Sequence, residues 1–256
     1  MIFTTAGRPT SSSINEAKRL SVFYSGTYID RNKRSVKEIM TGSQEPVIVY
    51  GNNRLHLYVD NSTEPIFFHP NSAMFRCKSL AKGNSDPFIE ACGLKEGMSL
   101  LDCTAGLASD SIVGSFITGV SGRVDACEGS LLGILLQDGL HRWDSGNQQI
   151  NQAIRRLTVT WKRYEDVLPT IQDNGYDVVY FDPMFEETIL ESDGVQGIRR
   201  IALYDGLSAD MVSEAKRIAK KRVVLKDFWK SNRFEQLEFH QQVRKTSKFH
   251  YGIIEL

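Results

Sequence analysis

Three acidic strand ends carry the chemistry this sequence has to offer. Leu100-Leu101-Asp102 closes a short apolar run with a carboxylate and passes into the small-residue turn Thr104-Ala105-Gly106. A segment of helical pattern follows, so the N–H groups of its first turn are left without partners at the end of the strand. About 20 residues further on, the apolar run 122–127 ends in Glu128. A carboxylate there can accept both ribose hydroxyls of a bound nucleoside. The third run, 176–181, stops abruptly in Asp182-Pro183-Met184-Phe185. A carboxylate, a proline and an aromatic ring in that order suit the grip of a flat ring that bears an amine. Plainer readings stand beside these: an ordinary strand-helix corner at 100–110, a helix N-terminal carboxylate at Asp110, a strand-ending turn at 182–185.

Such groups can meet only if their strands end along a common edge. From residue 98 the pattern alternates: strands at 98–103, 122–127, 157–161, 176–181 and 222–226, helices at 106–118, 130–142 and 206–220. That alternation predicts an α/β fold with a mostly parallel sheet and right-handed crossovers, and residues 239–245 and 248–256 read as a closing hairpin. Residues 1–64 read as a small α/β domain of their own. It has a strand at 2–5, a helix capped by Ser13 with Glu16 at capping-box spacing, a second helix at 35–41, and a hairpin around Gly51-Asn52-Asn53. Residues 65–97 are a connector that can line a ligand groove or cover the sheet edge; it carries His69, Arg76 and Lys78, and Pro87 opens a helix in it. Residues 98–256 form the main domain.

Composition narrows the classes. The chain has 256 residues, 41% hydrophobic and 24% charged, with 31 basic and 31 acidic side chains and no net charge. A nucleic-acid partner is therefore not announced by bulk charge, and any such surface is local. The basic residues near the N-terminus read either as a solvated face or as an RNA-grasping face. Between 199 and 248 there are 13 Lys and Arg against 6 Asp and Glu. Arg199, Arg200, Lys226, Lys230 and Arg233 are candidates there for sequence-blind phosphate contacts. Residues 186–198, acidic and holding two glycines, read as a lid. The four cysteines show no C-x-x-C pair and the five histidines no triad or metal spacing. With no basic-then-apolar leader and no run of the roughly 18 apolar residues a membrane span needs, the expectation is a soluble, cytoplasmic protein without a metal.

Four stretches together carry a family resemblance: DCTAGLASD (102–110), Glu128 followed by Asp138-Gly139-Leu140, VYFDPMF (179–185) and KRVVLK (221–226). Over roughly residues 66–256 the chain resembles the class I S-adenosylmethionine-dependent methyltransferases, and among them the ribosomal small-subunit methyltransferase J group. The resemblance implies a Rossmann-like sheet closed by a reversed last strand, S-adenosylmethionine as cofactor, and transfer of a methyl group to a guanine N2 amine of 16S ribosomal RNA. It implies cofactor contacts from Asp102, Ala105, Gly106, Ser109, Asp110, Glu128, Gly129, Tyr164 and Asp182. Asp182, Pro183 and Phe185 would orient and stack the target base, and by the resemblance Arg76 and Lys78 lie beside the cofactor pocket; His69, Arg76, Lys78, Arg199 and Lys226 are the candidate substrate-binding residues. The sequence departs from the pattern at Ala108-Ser109, where Gly-Arg is usual, and at Gly129, where arginine is usual. Two other readings remain: a methyltransferase acting on another RNA or DNA amino group or a small molecule, and a cofactor-binding RNA-interaction module without catalysis. The sequence says nothing of oligomeric state.

Overall fold

In this computed structural model residues 1–59, 64–183 and 206–256 are described, and the chain divides into two compact units. The first holds the described residues up to His69 together with Ile134–Arg142; the second holds Pro70–Gly133 and the remaining described residues.

In the first unit β1 (Ile2–Thr5) lies between β2 (Thr27–Tyr28) and β3 (Val47–Gly51), parallel to both, and β4 (Arg54–Tyr58) pairs antiparallel with β3. Asn52 and Asn53 join β3 to β4 with φ of 52° and 57°, the left-handed pair a two-residue hairpin turn requires. Helix α1 (Ser11–Phe23) begins earlier than a Ser13 cap would put it. Thr10 is the cap, its Oγ1 accepting from the Ser13 N–H at 3.1 Å. Glu16 is then too far along to reach the cap amide, and its carboxylate pairs with Arg19 and Arg142 instead. The reciprocal capping box is built by Ser35 and Glu38 at the start of α2 (Val36–Ser43), whose Ile39 and Met40 pack on Ile2, Val47 and Val49.

The second unit is built on β5 (Ser99–Asp102), β6 (Arg123–Cys127), β7 (Thr158–Thr160), β8 (Tyr176–Phe181), β9 (Ala219–Phe228), β10 (His240–Gln242) and β11 (Phe249–Glu255). They form one sheet in the order β10-β11-β9-β8-β5-β6-β7. β5 to β9 run parallel, and β11 is inserted antiparallel between β9 and β10. The chain steps outward from β5 to β7, then returns to lay β8 and β9 on the other side of β5. The order therefore reverses between β5 and β8, and a crevice opens there beyond the carboxyl ends of the strands.

Alternation decides which side chains face that crevice. Leu101, Cys103, Val179, Phe181, Val223 and Leu225 point to one side, into a core with Val212, Ala215 and Ile218 of the helix Ala209–Ile218. Asp102, Tyr180 and Lys226 belong to the other side. Over them lie α3 (Asn71–Leu80), α4 (Pro87–Cys92) and α5 (Ser109–Thr118). Pro87 opens α4 as expected, with Asp86 capping the Phe88 and Ile89 amides.

The structure differs from the sequence pattern in two places here. The helix Ala209–Ile218 stops at its last buried apolar residue, so Lys220 and Lys221 belong to β9 and not to a helical face. Lys221 pairs with Asp177 of β8 at 3.0 Å. A further helix, Gln148–Arg156, precedes β7; Asn147 caps it, and only Ile150, Ala153 and Ile154 of its polar sequence are buried.

Candidate active site

Backbone amides tie the loops at the carboxyl edge together. Asp102 is buried; its Oδ1 accepts from the Thr104 N–H at 3.0 Å and its Oδ2 from the Ser111 hydroxyl at 2.5 Å. Burial pushes this carboxyl up to about 7, against the pull of those two hydrogen bonds. Glu128 spans two loops, Oε2 accepting from the Gly106 N–H and Oε1 from the Ser130 N–H, both at 2.8 Å. The Trp161 indole donates to the Ser130 carbonyl at 2.7 Å and brings in the loop after β7. Across the crevice the Asp182 N–H donates to Thr104 Oγ1 at 2.6 Å. The turn after β5 and the end of β8 are thus direct neighbours.

The departure at Ala108 has a visible cost. It caps α5 in the left-handed region at φ 58° and ψ 31°, where a residue with a Cβ loses roughly 1–2 kcal/mol. Its methyl group is fully buried, which offsets part of that cost.

A chain of ion pairs runs behind the crevice. Lys226 Nζ donates to Asp182 Oδ2 at 2.6 Å and lies 3.5 Å from Asp110 Oδ2. Asp110 also accepts from the Tyr180 hydroxyl at 2.8 Å and from Arg76 Nη1 at 2.5 Å. Arg76 forks onto Asp86 at 2.7 and 2.9 Å. Burial opposes the charge on Asp110, but Lys226 and Arg76 outweigh it and hold its carboxyl below the usual range. At Asp182 burial outweighs the Lys226 ammonium, and with the Asp110 charge nearby its carboxyl is pushed up to about 6. Burial also works against the Lys226 ammonium, and Asp110 and Asp182 together keep it charged well above the ordinary lysine range.

The structure brings Asp102, Ala105, Gly106, Ser109, Asp110, Glu128, Gly129, Asp182 and Pro183 to this edge of the sheet. Tyr164 opens the short helix after β7 and packs edge-on against Phe181, ring centroids 5.5 Å apart. Arg76 and Lys226 are committed to carboxylates inside the unit, while Lys78 is exposed on α3. His69 belongs to the first unit, edge-on to Phe67 at 5.3 Å. Phe185, Arg199 and the acidic stretch 186–198 lie outside the described residues. Sequence alone does not single out Ser111, Tyr180 or Trp161, nor the hydrogen-bonding role of Thr104. Tyr180 carries the clearest signal of these: two residues before Asp182, it shares that residue's face, and a hydroxyl on a buried face must find a partner.

A reversal between the first and fourth strands of the sheet, with an antiparallel strand inserted next to the edge, defines a class I methyltransferase fold. The family model described as a putative SAM-dependent methyltransferase matches residues 33–252, and the chain belongs to that family. It is 41% identical over 255 residues to the uncharacterised protein YpiP of Bacillus subtilis (strain 168), covering 99% of each. It is 27% identical over 220 residues to the ribosomal RNA small subunit methyltransferase J of Buchnera aphidicola subsp. Schizaphis graminum, covering 77% of this chain and 87% of that one. Among solved structures, a SAM-dependent methyltransferase from Neisseria gonorrhoeae superposes with a TM-score of 0.64 at 16% identity, over 100% of this chain and 96% of that one.

The cofactor of this family is S-adenosylmethionine, and two features of the edge fit it. A Cβ built on Gly106, at φ 56°, would meet nothing within 4 Å, so the turn borders open space. Ser109 Oγ, in the first turn of α5, is buried with no hydrogen-bond partner among the described residues. Among the described residues no cluster of three or more His, Cys, Asp or Glu could hold a metal ion, and no helix is long and apolar enough to cross a membrane.

Proposed function

We propose that this chain methylates the exocyclic N2 amine of a guanine in small-subunit ribosomal RNA. The observation that carries the reading is the Asp182–Thr104 hydrogen bond, which sets a strand-ending Asp-Pro against the glycine turn at one crevice. The likeness to a relative named ribosomal RNA small subunit methyltransferase J supports the choice of target. When bound, S-adenosylmethionine supplies an electrophilic methyl group on its sulfonium. Glu128, both of whose oxygens keep a lone pair beyond their amide bonds, would hold the ribose hydroxyls. Asp102, Ser109 and the backbone at Ala105, Gly106 and Gly129 would line the remainder, with Tyr164 beside the adenine.

Asp182 is the group that meets the acceptor. Its Oδ2 is engaged by Lys226, its Oδ1 accepts nothing among the described residues, and its side chain keeps 23% of its surface exposed. Oδ1 and the Pro183 carbonyl would accept from the amine and aim its lone pair, a positioning effect. A guanine amine is barely basic, and its protons become acidic as the new bond forms. A carboxylate can therefore take up the developing charge without a strong base. Phe185 would stack on the base, which must be unstacked or single-stranded to enter.

Mass mapping of ribosomal RNA from a strain lacking the gene tests the assignment. One guanine should lose its N2 methyl group and regain it on complementation; an unchanged methylation pattern would defeat the ribosomal target. The cofactor cradle has a separate test in Gly106→Ala. With φ at 56° the variant should lose roughly 1–2 kcal/mol of stability. Its methyl group would also enter the space kept for ligand, an overpacking expected to weaken S-adenosylmethionine binding by roughly 5- to 150-fold in calorimetry. Unchanged affinity would move the cofactor away from this turn.

A further inference from the structure

Strand register sends two more loops to the edge where Asp182 closes β8. β9 ends at Phe228, and Phe249, the first residue of β11, pairs opposite it. Residues 229–232 and 243–248 therefore both project beyond the carboxyl ends of the parallel strands. The first of these loops carries Trp229, with 44% of its surface exposed. A tryptophan exposed on a loop at the edge of the site offers the flat face of its indole for stacking. Its backbone is pinned, the N–H donating to the Lys248 carbonyl at 3.0 Å and the carbonyl accepting from Gln241 Nε2 at 2.7 Å.

The charged residues of these two loops are all basic. Lys230 Nζ sits 4.7 Å from the Trp229 ring centroid, and Lys230, Lys245 and Lys248 are all exposed. The sequence holds no acidic residue between Glu238 and Glu255. Asp227, the acid next to the loop, is buried and accepts from the Phe228 N–H and the Ser231 hydroxyl. The patch is continuous with the site: Lys226, bonded to Asp182, lies 5.9 Å from the Phe249 ring, and Phe249 faces Phe228 beside Trp229.

We infer that Trp229, Lys230, Lys245 and Lys248 form a docking surface for single-stranded RNA flanking the target nucleotide, one base stacking on Trp229 and adjacent phosphates meeting the lysines. This rests on the RNA reading above and adds to it where the strand leaves the crevice. Any base offers a face to the indole, so the contact is blind to sequence. An A-form duplex keeps its bases stacked and offers none. The lysines contribute through release of counterions, so their share of the binding falls as salt rises.

The test uses the full chain and a 12-nucleotide single-stranded oligoribonucleotide of mixed sequence, titrated by anisotropy at several salt concentrations. Methyl transfer to small-subunit ribosomal RNA is measured in parallel. Trp229→Ala is expected to weaken oligonucleotide binding about 5- to 150-fold, the worth of one stacked base. Trp229→Phe should recover most of that loss, and S-adenosylmethionine affinity should not change. The pair Lys245→Gln and Lys248→Gln should lower the salt slope by about 1.4, or 0.7 per phosphate. Equal binding by wild type and Trp229→Ala, with methyl transfer to ribosomal RNA intact, overturns the docking surface and leaves the proposed function standing. No binding by the wild type overturns it as well. Loss of binding in Trp229→Ala from a protein that leaves ribosomal RNA unmethylated supports the surface and removes the ribosomal target.

Discussion

Alanine at position 182 is expected to lower methyl transfer by about 10²-fold or more while leaving S-adenosylmethionine binding largely intact. The side chain removed is the one whose Oδ1, accepting nothing among the described residues, would hold the acceptor amine. The groups assigned to the cofactor, Glu128 and the Gly106 turn, are tied to one another and to Ser130, with no bond to the Asp182 side chain. Loss of activity through unfolding is separable, because Lys226 retains Asp110 as a partner at 3.5 Å. Single-turnover rates at saturating cofactor, with calorimetry on the same sample, give both readings. Turnover at the wild-type rate would remove the role of Asp182. The wild-type enzyme should also lose activity as pH falls through about 6, where Asp182 takes up a proton and its Oδ1 ceases to be a charged acceptor. A rate that holds down to the ordinary carboxylate range would contradict the raised position of Asp182 or the need for its charge.

How far the sequence reveals this site depends on the range of each contact. The strand-ending Asp102, Glu128 and Asp182 are legible because an apolar run stopped by a carboxylate is a local pattern, and β8 has the bounds the pattern gives it. The partners of those carboxylates are not legible. Arg76 reaches Asp110 across 34 residues and Lys226 reaches it across 116. Sequence therefore offers two basic side chains for the substrate, and only the fold shows them paired with acids. The Gln148–Arg156 helix is hard to read because its few apolar residues are diluted by glutamine, asparagine and arginine; the cap at Asn147 and the spacing of Ile150, Ala153 and Ile154 are its local signals. Thr10 displaced Ser13 as a cap because both are good acceptors close together, and nothing local chooses between them. Ala108 shows the opposite case. A methyl group where the family usually has glycine looks disruptive in sequence, yet the chain keeps the left-handed turn with that methyl group buried.

Removing the cation behind the crevice should have the second large effect. Lys226→Met leaves Asp182 and Asp110 without the ammonium they share, and breaking a buried pair from one side costs about 3–5 kcal/mol. Arg76 still holds Asp110. Among the described residues Asp182 has no second cation, so its folded-state pKa should climb further and the carboxyl stays protonated at neutral pH. A carboxyl raised on folding binds its proton more tightly in the native state, so it stabilises at low pH and that contribution is lost as pH rises through the folded value. The deficit of the variant relative to wild type should therefore widen as pH rises above about 6, the wild-type position of Asp182. The acid limb of the rate profile should shift to higher pH by the same mechanism, and Lys226→Arg should restore much of both. A packing defect alone would lower stability evenly across pH and leave the limb in place. Chemical denaturation and single-turnover rates between pH 5 and 9 (an interval chosen to bracket the carboxyl and stay below lysine) decide between them. A Lys226→Met enzyme with the wild-type limb would show that this lysine does not govern the charge on Asp182.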